Sequence, residues 1–225
     1  MTMEVYDGSR HREASVRLND GSQWVDGPLY LHDGSYWIRQ KTRPQAGVSR
    51  WTLDSADTDS GTAIDTWNTN DGTINGATTG VSGANQTYDT AEAYDFDGTD
   101  DNITFSSSPA NGLSALTVSA WVKIDDNSTY NTVISGRDGS NSGFELNQRG
   151  DLNGNLKFVL YNSGNTGAVT TGFTPNNGQW YHLIGTADSN GAELYVDGSS
   201  IGTAGVGLVT NDILEIGRST SFADG

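Results

Sequence analysis

The stretch Ala93-Tyr94-Asp95-Phe96-Asp97-Gly98-Thr99-Asp100-Asp101-Asn102-Ile103-Thr104-Phe105 sets the reading of the whole chain. Tyr94 and Phe96 alternate with Asp95 and Asp97, and Ile103 and Phe105 resume the alternation beyond Asp97-Gly98. Two alternating runs around an Asp-Gly predict a β-hairpin with one apolar face per strand. A second layer has to cover that face, because a lone hairpin buries too little apolar surface to stand.

The same pattern recurs downstream. Leu116–Lys123 alternates cleanly, with Leu116, Val118, Ala120 and Val122 expected to face inward. Further strands are expected at 132–135, 143–146, 156–161, 180–186, 192–198 and 213–217, the run at 180–186 pairing with that at 192–198. Upstream, Trp51-Thr52-Leu53-Asp54 reads as a short strand and residues 72–74 as another. Many short strands between Gly- and Asn-rich turns predict an all-β, two-sheet antiparallel sandwich.

Three copies of a smaller unit precede it. Asp7-Gly8-Ser9, Asp20-Gly21-Ser22 and Asp33-Gly34-Ser35 recur every 13 residues, followed at a fixed offset by His11, Trp24 and Trp37. Each copy reads as strand, tight turn, strand. The expected organisation is a hairpin-repeat module at 1–40, a linker at 41–50 containing Pro44 and Gly47, and the sandwich at 51–225. Trp24 and Trp37 lack enough sheet of their own to be buried, so they are expected to anchor the chain in an assembly.

Charge divides along the same line. Residues 51–225 carry five Lys and Arg against 22 Asp and Glu, a net of -17 in a chain whose total is -16. Such a surface argues against nucleic acid as a partner. It suits high salt, where self-repulsion is screened, so a halophilic source is expected. With no cysteine there are neither disulfides nor thiolate metal sites. No apolar run reaches membrane-spanning length, and Met1-Thr2-Met3-Glu4 leads directly into polar sequence, so neither membrane insertion nor an export signal is expected.

Trp51-Thr-Leu-Asp, Asn70-Asp-Gly-Thr, Ala93-Tyr-Asp-Phe-Asp-Gly-Thr-Asp-Asp, Val118-Ser-Ala-Trp-Val-Lys, Trp180-Tyr-His and Leu194-Tyr-Val-Asp-Gly together resemble the LamG-like members of the concanavalin A-like lectin/glucanase superfamily. The resemblance covers about residues 51–218 and implies a jelly-roll sandwich with one concave sheet. It leaves activity open, because the fold hosts lectins, adhesion modules and glycosidases. Family members close with a strand carrying an acidic pair and an aromatic, which is expected to begin near Phe222, where the sequence reaches Gly225. The first forty residues resemble, more distantly, the short repeats of tail and fibre proteins of tailed viruses.

Glycosidases of the superfamily set two carboxylates on one strand in a Glu-x-Asp-x-Glu spacing, which is absent here. Glu145, Glu193 and Glu215 each stand alone and read as surface carboxylates, and Gly139-Ser-Asn-Ser-Gly143 lacks the serine of a nucleophile elbow. His11, His32 and His182 have no metal-ligand spacing, and His182 reads as structural. The chain is therefore not expected to be an enzyme. Asp97, Asp100 and Asp101 crowd one turn and could hold calcium through hard carboxylate oxygens, or simply be turn residues. Trp67, Tyr88, Tyr130 and Tyr161 lie among Asn, Ser and Gly, a mixture that stacks on sugar rings and hydrogen-bonds hydroxyls, in segments that read as long loops.

The resulting expectation is a non-enzymatic virion component: a tail fibre, spike or decoration protein at the virion surface. Residues 1–40 would contact other virion proteins, and the sandwich a host-surface glycan or glycoprotein, in a homo-oligomer. The alternative is a carbohydrate-binding or adhesion module of a larger cell-surface or extracellular protein. Burying one indole contributes roughly 1.5–3 kcal/mol. Trp24→Ala with Trp37→Ala should therefore abolish oligomerisation or particle incorporation, while circular dichroism of the sandwich stays unchanged. Light scattering that shows an unaltered assembly state would exclude the anchor.

Overall fold

Alternating residues between frequent glycines and aspartates favour short strands over helices, and the computed structural model is built that way. It describes six strands within residues 1–46, and residues 47–84, 92–139, 142–149, 153–162, 165–170 and 172–218. Among these the one helical segment is a single 3₁₀ turn, Ser55–Asp57, and no helix is long and apolar enough to cross a membrane. The chain forms two compact units, Met1–Gly47 and Val48–Gly225.

The first unit contains three two-stranded sheets: β1 (Met3–Tyr6) with β2 (His11–Ala14), β3 (Leu18–Asn19) with β4 (Trp24–Val25), and β5 (Tyr30–His32) with β6 (Trp37–Arg39). Tyr6 pairs with His11, Asn19 with Trp24, and His32 with Trp37. The sequence repeat is thus a repeat of backbone pairing. The three Asp-Gly turns and the side chains of Trp24 and Trp37 lie outside the described residues.

The second unit runs β7 (Thr58–Asp59), β8 (Thr62–Ala63), β9 (Gly72–Asn75), β10 (Thr78–Ser82), β11 (Glu92–Asp95), β12 (Asn102–Phe105), β13 (Leu116–Lys123) and β14 (Tyr130–Ser135). It continues through β15 (Gly143–Arg149), β16 (Asn155–Asn162), β17 (Asn165–Thr170), β18 (Trp180–Ala187), β19 (Ala192–Val196), β20 (Ser199–Ala204) and β21 (Glu215–Ile216). A nine-stranded sheet in the order β17-β16-β15-β14-β21-β12-β9-β8-β7 faces a four-stranded sheet, β13-β18-β19-β20, and β10 pairs with β11 alone. Every pairing is antiparallel, as a jelly-roll sandwich requires.

The core lies between the two large sheets. Phe144, Leu146, Leu156, Phe158 and Leu160 meet Leu183, Leu194 and Val196, while Leu116, Val118 and Val122 pack against them from β13 as expected. Each such side chain contributes roughly 1.5–3 kcal/mol on leaving water. The expected pairing of the 180–186 and 192–198 runs is the β18–β19 ladder.

The hairpin at 93–105 does not form. β11 pairs with β10, whereas β12 pairs with β9 and β21 in the nine-stranded sheet. Alternation had placed the faces correctly, since Tyr94, Phe96, Ile103 and Phe105 share one apolar cluster. A two-residue period fixes which side of a strand is buried, not which strand lies beside it. Here a loop from Phe96 to Asp101 separates the strands, and longer loops can deliver them to different sheets. Trp51 forms only an isolated bridge with Asp65 rather than starting a strand at 51–54.

That bridge is organised by a carboxylate. Asp65 is 4% exposed and accepts from the backbone N–H groups of Arg50 (2.9 Å), Trp67 (3.0 Å), Asn68 (3.1 Å) and Asn70 (3.2 Å), and from Asn70 Nδ2 (3.2 Å). Burial opposes its ionisation, but the N–H donors outweigh burial and hold the carboxyl below the usual carboxylate range. A depressed folded-state pKa gives stability that is present above the unfolded-state value, about 3.9, and is lost as pH falls through the folded value. Asp65→Asn presents an NH₂ to donors that need an acceptor. It should cost about 1–3 kcal/mol in urea unfolding at pH 7 and flatten the acid limb of stability against pH. An unchanged acid limb would contradict this role.

Candidate polar face of the nine-stranded sheet

Because side chains alternate, the nine-stranded sheet turns a second face away from the core. Antiparallel partners point to the same side, so the register arranges that face in rows. Tyr130, Arg149 and Asn155 form one row; Thr132, Asn147 and Lys157 form the next. A third runs Thr104, Glu215, Ser135, Glu145, Val159 and Ala168, and a fourth joins Gly143, Tyr161 and Thr166. A bulge in β14 between Thr132 and Ile134 shifts the phase, so that Tyr130 and Thr132 share this face with Ser135. In a regular strand with no bulge, the five steps from Tyr130 to Ser135 would send the two side chains to opposite sides.

The centre is a buried polar cluster. Glu145 is 0% exposed; Tyr161 donates to its Oε2 at 2.7 Å and Ser135 to its Oε1 at 3.2 Å. Arg137 Nη1 lies 3.8 Å from Glu145 Oε2, and the Arg137 guanidinium stacks 3.9 Å from the Tyr161 ring centre. Asn147, also 0% exposed, donates through Nδ2 to the Tyr130 oxygen at 2.8 Å and to Glu145 Oε2 at 3.4 Å. Its Oδ1 is buried and has no hydrogen-bond partner. Arg149 approaches the Tyr130 ring centre at 5.2 Å. Burial and the adjacent Glu145 carboxylate push the Tyr161 phenol well above its ordinary range, so it remains a donor.

Local backbone holds Arg137 in place. Gly143 has φ 127°, and a Cβ there would strike the Gly136 carbonyl. Asn211 Nδ2 donates to the carbonyls of both Gly136 (2.9 Å) and Ser142 (2.8 Å), tying together the ends of the β14–β15 connection.

The sequence candidates are therefore redistributed. Tyr130 and Tyr161 lie on strands rather than in long loops, and Glu145 with Asn147 joins them into one network. Trp67 sits beside Asp65 near β8, at the far end of the sheet, and Tyr88 lies outside the described residues. Glu145 and Glu215 are buried, correcting their reading as surface carboxylates; only Glu193 is partly exposed, accepting from Ser200 at 2.5 Å. The strand context of Glu145 concealed this, because one flanking polar residue on a strand looks the same whether water or another layer covers it. His182 packs structurally, within 2.8 Å of the Ser119 hydroxyl and stacked on Trp121 at 5.0 Å.

Asp97, Asp100 and Asp101 do converge, with carboxylate oxygens within 4.8 Å of one another. The turn already meets part of their charge. Thr99 and Asp100 N–H donate to Asp97 Oδ1 (2.8 and 3.2 Å), and Asp97 N–H donates to Asp101 Oδ2 (2.9 Å). The Thr99 donor chiefly holds the Asp97 carboxyl below its ordinary range.

Residues 97–225 match the family described as the concanavalin A-like lectin/glucanases superfamily. No curated protein matches the chain. Among solved structures, Trypanosoma rangeli sialidase in complex with sialic acid is 17% identical over 74% of this chain and 27% of that one, with a TM-score of 0.54. Domain 4 of AbnA, a GH43 extracellular arabinanase from Geobacillus stearothermophilus, in complex with arabinotriose, is 19% identical over 64% of this chain and 66% of that one, with a TM-score of 0.48. The chain thus spans just under two thirds of the arabinanase domain and about a quarter of the sialidase. At these identities the likeness is one of fold.

Removing the central carboxylate tests the network. Glu145→Ala strips Tyr161 and Arg137 of their shared acceptor and should cost about 3–5 kcal/mol in urea unfolding. Glu145→Gln, which keeps an acceptor for Tyr161, should cost less. A loss below about 1 kcal/mol for the alanine variant would contradict the network's structural weight.

Proposed function

The chain belongs to the concanavalin A-like lectin/glucanases superfamily, and on that premise we propose that its second unit is a non-catalytic carbohydrate-binding module. The observation that carries this reading is the polar face of β14, β15 and β16. There a half-buried tyrosine, Tyr130, is held at its hydroxyl by the buried Asn147 amide and has the Arg149 guanidinium over its ring at 5.2 Å. An aromatic ring beside fixed polar atoms matches the apolar face and hydroxyl rim of a sugar. Glu145 is sealed from water and engaged through both oxygens, which favours holding the site's shape over protonating a glycosidic bond. On a glycan array the full chain should bind, and Tyr130→Ala should weaken that binding roughly two- to tenfold, since a stacked aromatic contributes about 0.5–1.5 kcal/mol. Undiminished binding by the variant would remove this face from the reading.

The finer setting is also a proposal. The hairpin repeats of residues 1–40 would anchor the chain in a virion, presenting the module at the particle surface to a host glycan or glycoprotein as part of a homo-oligomer. Their 13-residue period and the two tryptophans support this. The rival setting is a cellular adhesion protein, and the Trp24→Ala, Trp37→Ala variant separates the two.

Calcium would sit at Asp97, Asp100 and Asp101, whose convergence supports it. Millimolar CaCl₂ should then raise the melting temperature by a few degrees over EGTA, an effect that Asp100→Asn cancels. Identical melting with and without the ion would discard the site.

A further inference from the structure

The layer that faces the nine-stranded sheet is divided. Among the described residues, β13-β18-β19-β20 and β10-β11 are separate sheets with no ladder between them. β20 packs over β17 and β19 over β16, so the four-stranded sheet steps across toward β14 with β13 as its last strand. Beyond it, Tyr94 of β11 shares a cluster with Ile103 of β12, Ile74 of β9 and Ile216 of β21. The break between the two sheets therefore lies over β21, where Trp51 and Phe105 belong to the apolar clusters on both sides.

Burial changes at this break. The inward residues of β13, Leu116, Val118, Ala120 and Val122, are only half-buried. Their ladder partners on β18, Ala187, Gly185, Leu183 and Tyr181, are all buried. Both sets face the same core, so the difference comes from what flanks them. Among the described residues β18 has a strand on either side, and β13 has one.

An end strand carries a row of unpaired N–H and C=O groups, which proteins guard with proline, a bulge, an inward charge or a covering element. β20, at the other end of the sheet, has a shifted register with β19 and lies over β17. β13 has none of these guards. It pairs with β18 at eight positions without a bulge, holds no proline, and carries its one charge at Lys123, the last residue, on the outer face.

Main-chain groups at such an edge are met by another strand, and half-buried side chains at every second position are covered by a partner with the same period. We propose that the edge of β13 is a docking site for one extended strand of another polypeptide, apolar at every second residue and free of acidic side chains. The 8 residues of β13 set its length, and the chain's net charge of -16 sets the last condition. The β13 of a further copy fits less well, because its own β18 would follow it toward β10 and β11.

The test reads amide hydrogen exchange of the full chain with and without a probe peptide, acetyl-Lys-Thr-Val-Thr-Val-Thr-Val-Thr-Lys-amide, and a control with proline in place of its central valine. In the chain alone, every second amide of β13 should exchange roughly tenfold or more faster than the amides of β18. The peptide should slow those amides by a similar factor, and the proline control should not. Val118→Lys sets an inward charge at the edge and should abolish the peptide's effect. Should this variant fail to fold, the wild-type exchange pattern and the proline control decide alone. β13 amides that are as protected as those of β18 in the free chain would mean that the chain covers the edge itself, and would overturn the proposal. Light scattering that traces their protection to self-association would do the same, as would a millimolar excess of peptide that changes no amide of β13.

Discussion

A carboxylate removed wholly from water must be met by its neighbours, and Glu145 imposes that demand on the second unit. Isolated burial of a charge costs several kcal/mol, so the sheet has to supply a cation and hydrogen bonds together. Tyr161 comes from β16, Ser135 from β14, and Arg137 from the connection that Gly143 and Asn211 hold in shape. The register of three strands and the conformation of one turn thus answer to a single side chain. A pair of apolar residues would hold the sheet at least as well, so the retained polarity is better explained by what the face contacts than by stability.

The sandwich also separates two tasks by sheet face. Toward the four-stranded sheet, β15 and β16 present Phe144, Leu146, Phe158 and Leu160, which carry the folding energy. Away from it they present Glu145, Asn147, Lys157 and Tyr161. The bulge in β14 allows a third strand to join this division, with Ile134 packed toward the core and both Tyr130 and Ser135 on the polar side.

Much of this was legible in the residues. Alternation located the faces of the long strands, and the 13-residue period located the three pairs of short strands. What alternation lacks is any term for partner choice. Tyr94 and Ile103 were rightly buried together, yet their strands joined different sheets. Bulges are equally silent, because an inserted residue in β14 changes phase without changing composition. Tyr130 and Tyr161 were recognisable as candidates from their polar surroundings, but the atoms linking them were not. Glu145 lies 16 residues from Tyr161 and Asn147 17 from Tyr130, in no pattern a motif could capture; their proximity comes from strand pairing alone.

The claim that the polar face of β14, β15 and β16 is the contact surface can be read directly by amide chemical-shift mapping of the full chain against a bound oligosaccharide. The largest perturbations should fall on Tyr130, Asn147, Arg149 and Lys157. Perturbations concentrated instead on Trp121, Trp180 and Tyr195 of the four-stranded sheet, or on the Asp97–Asp101 turn, would contradict it.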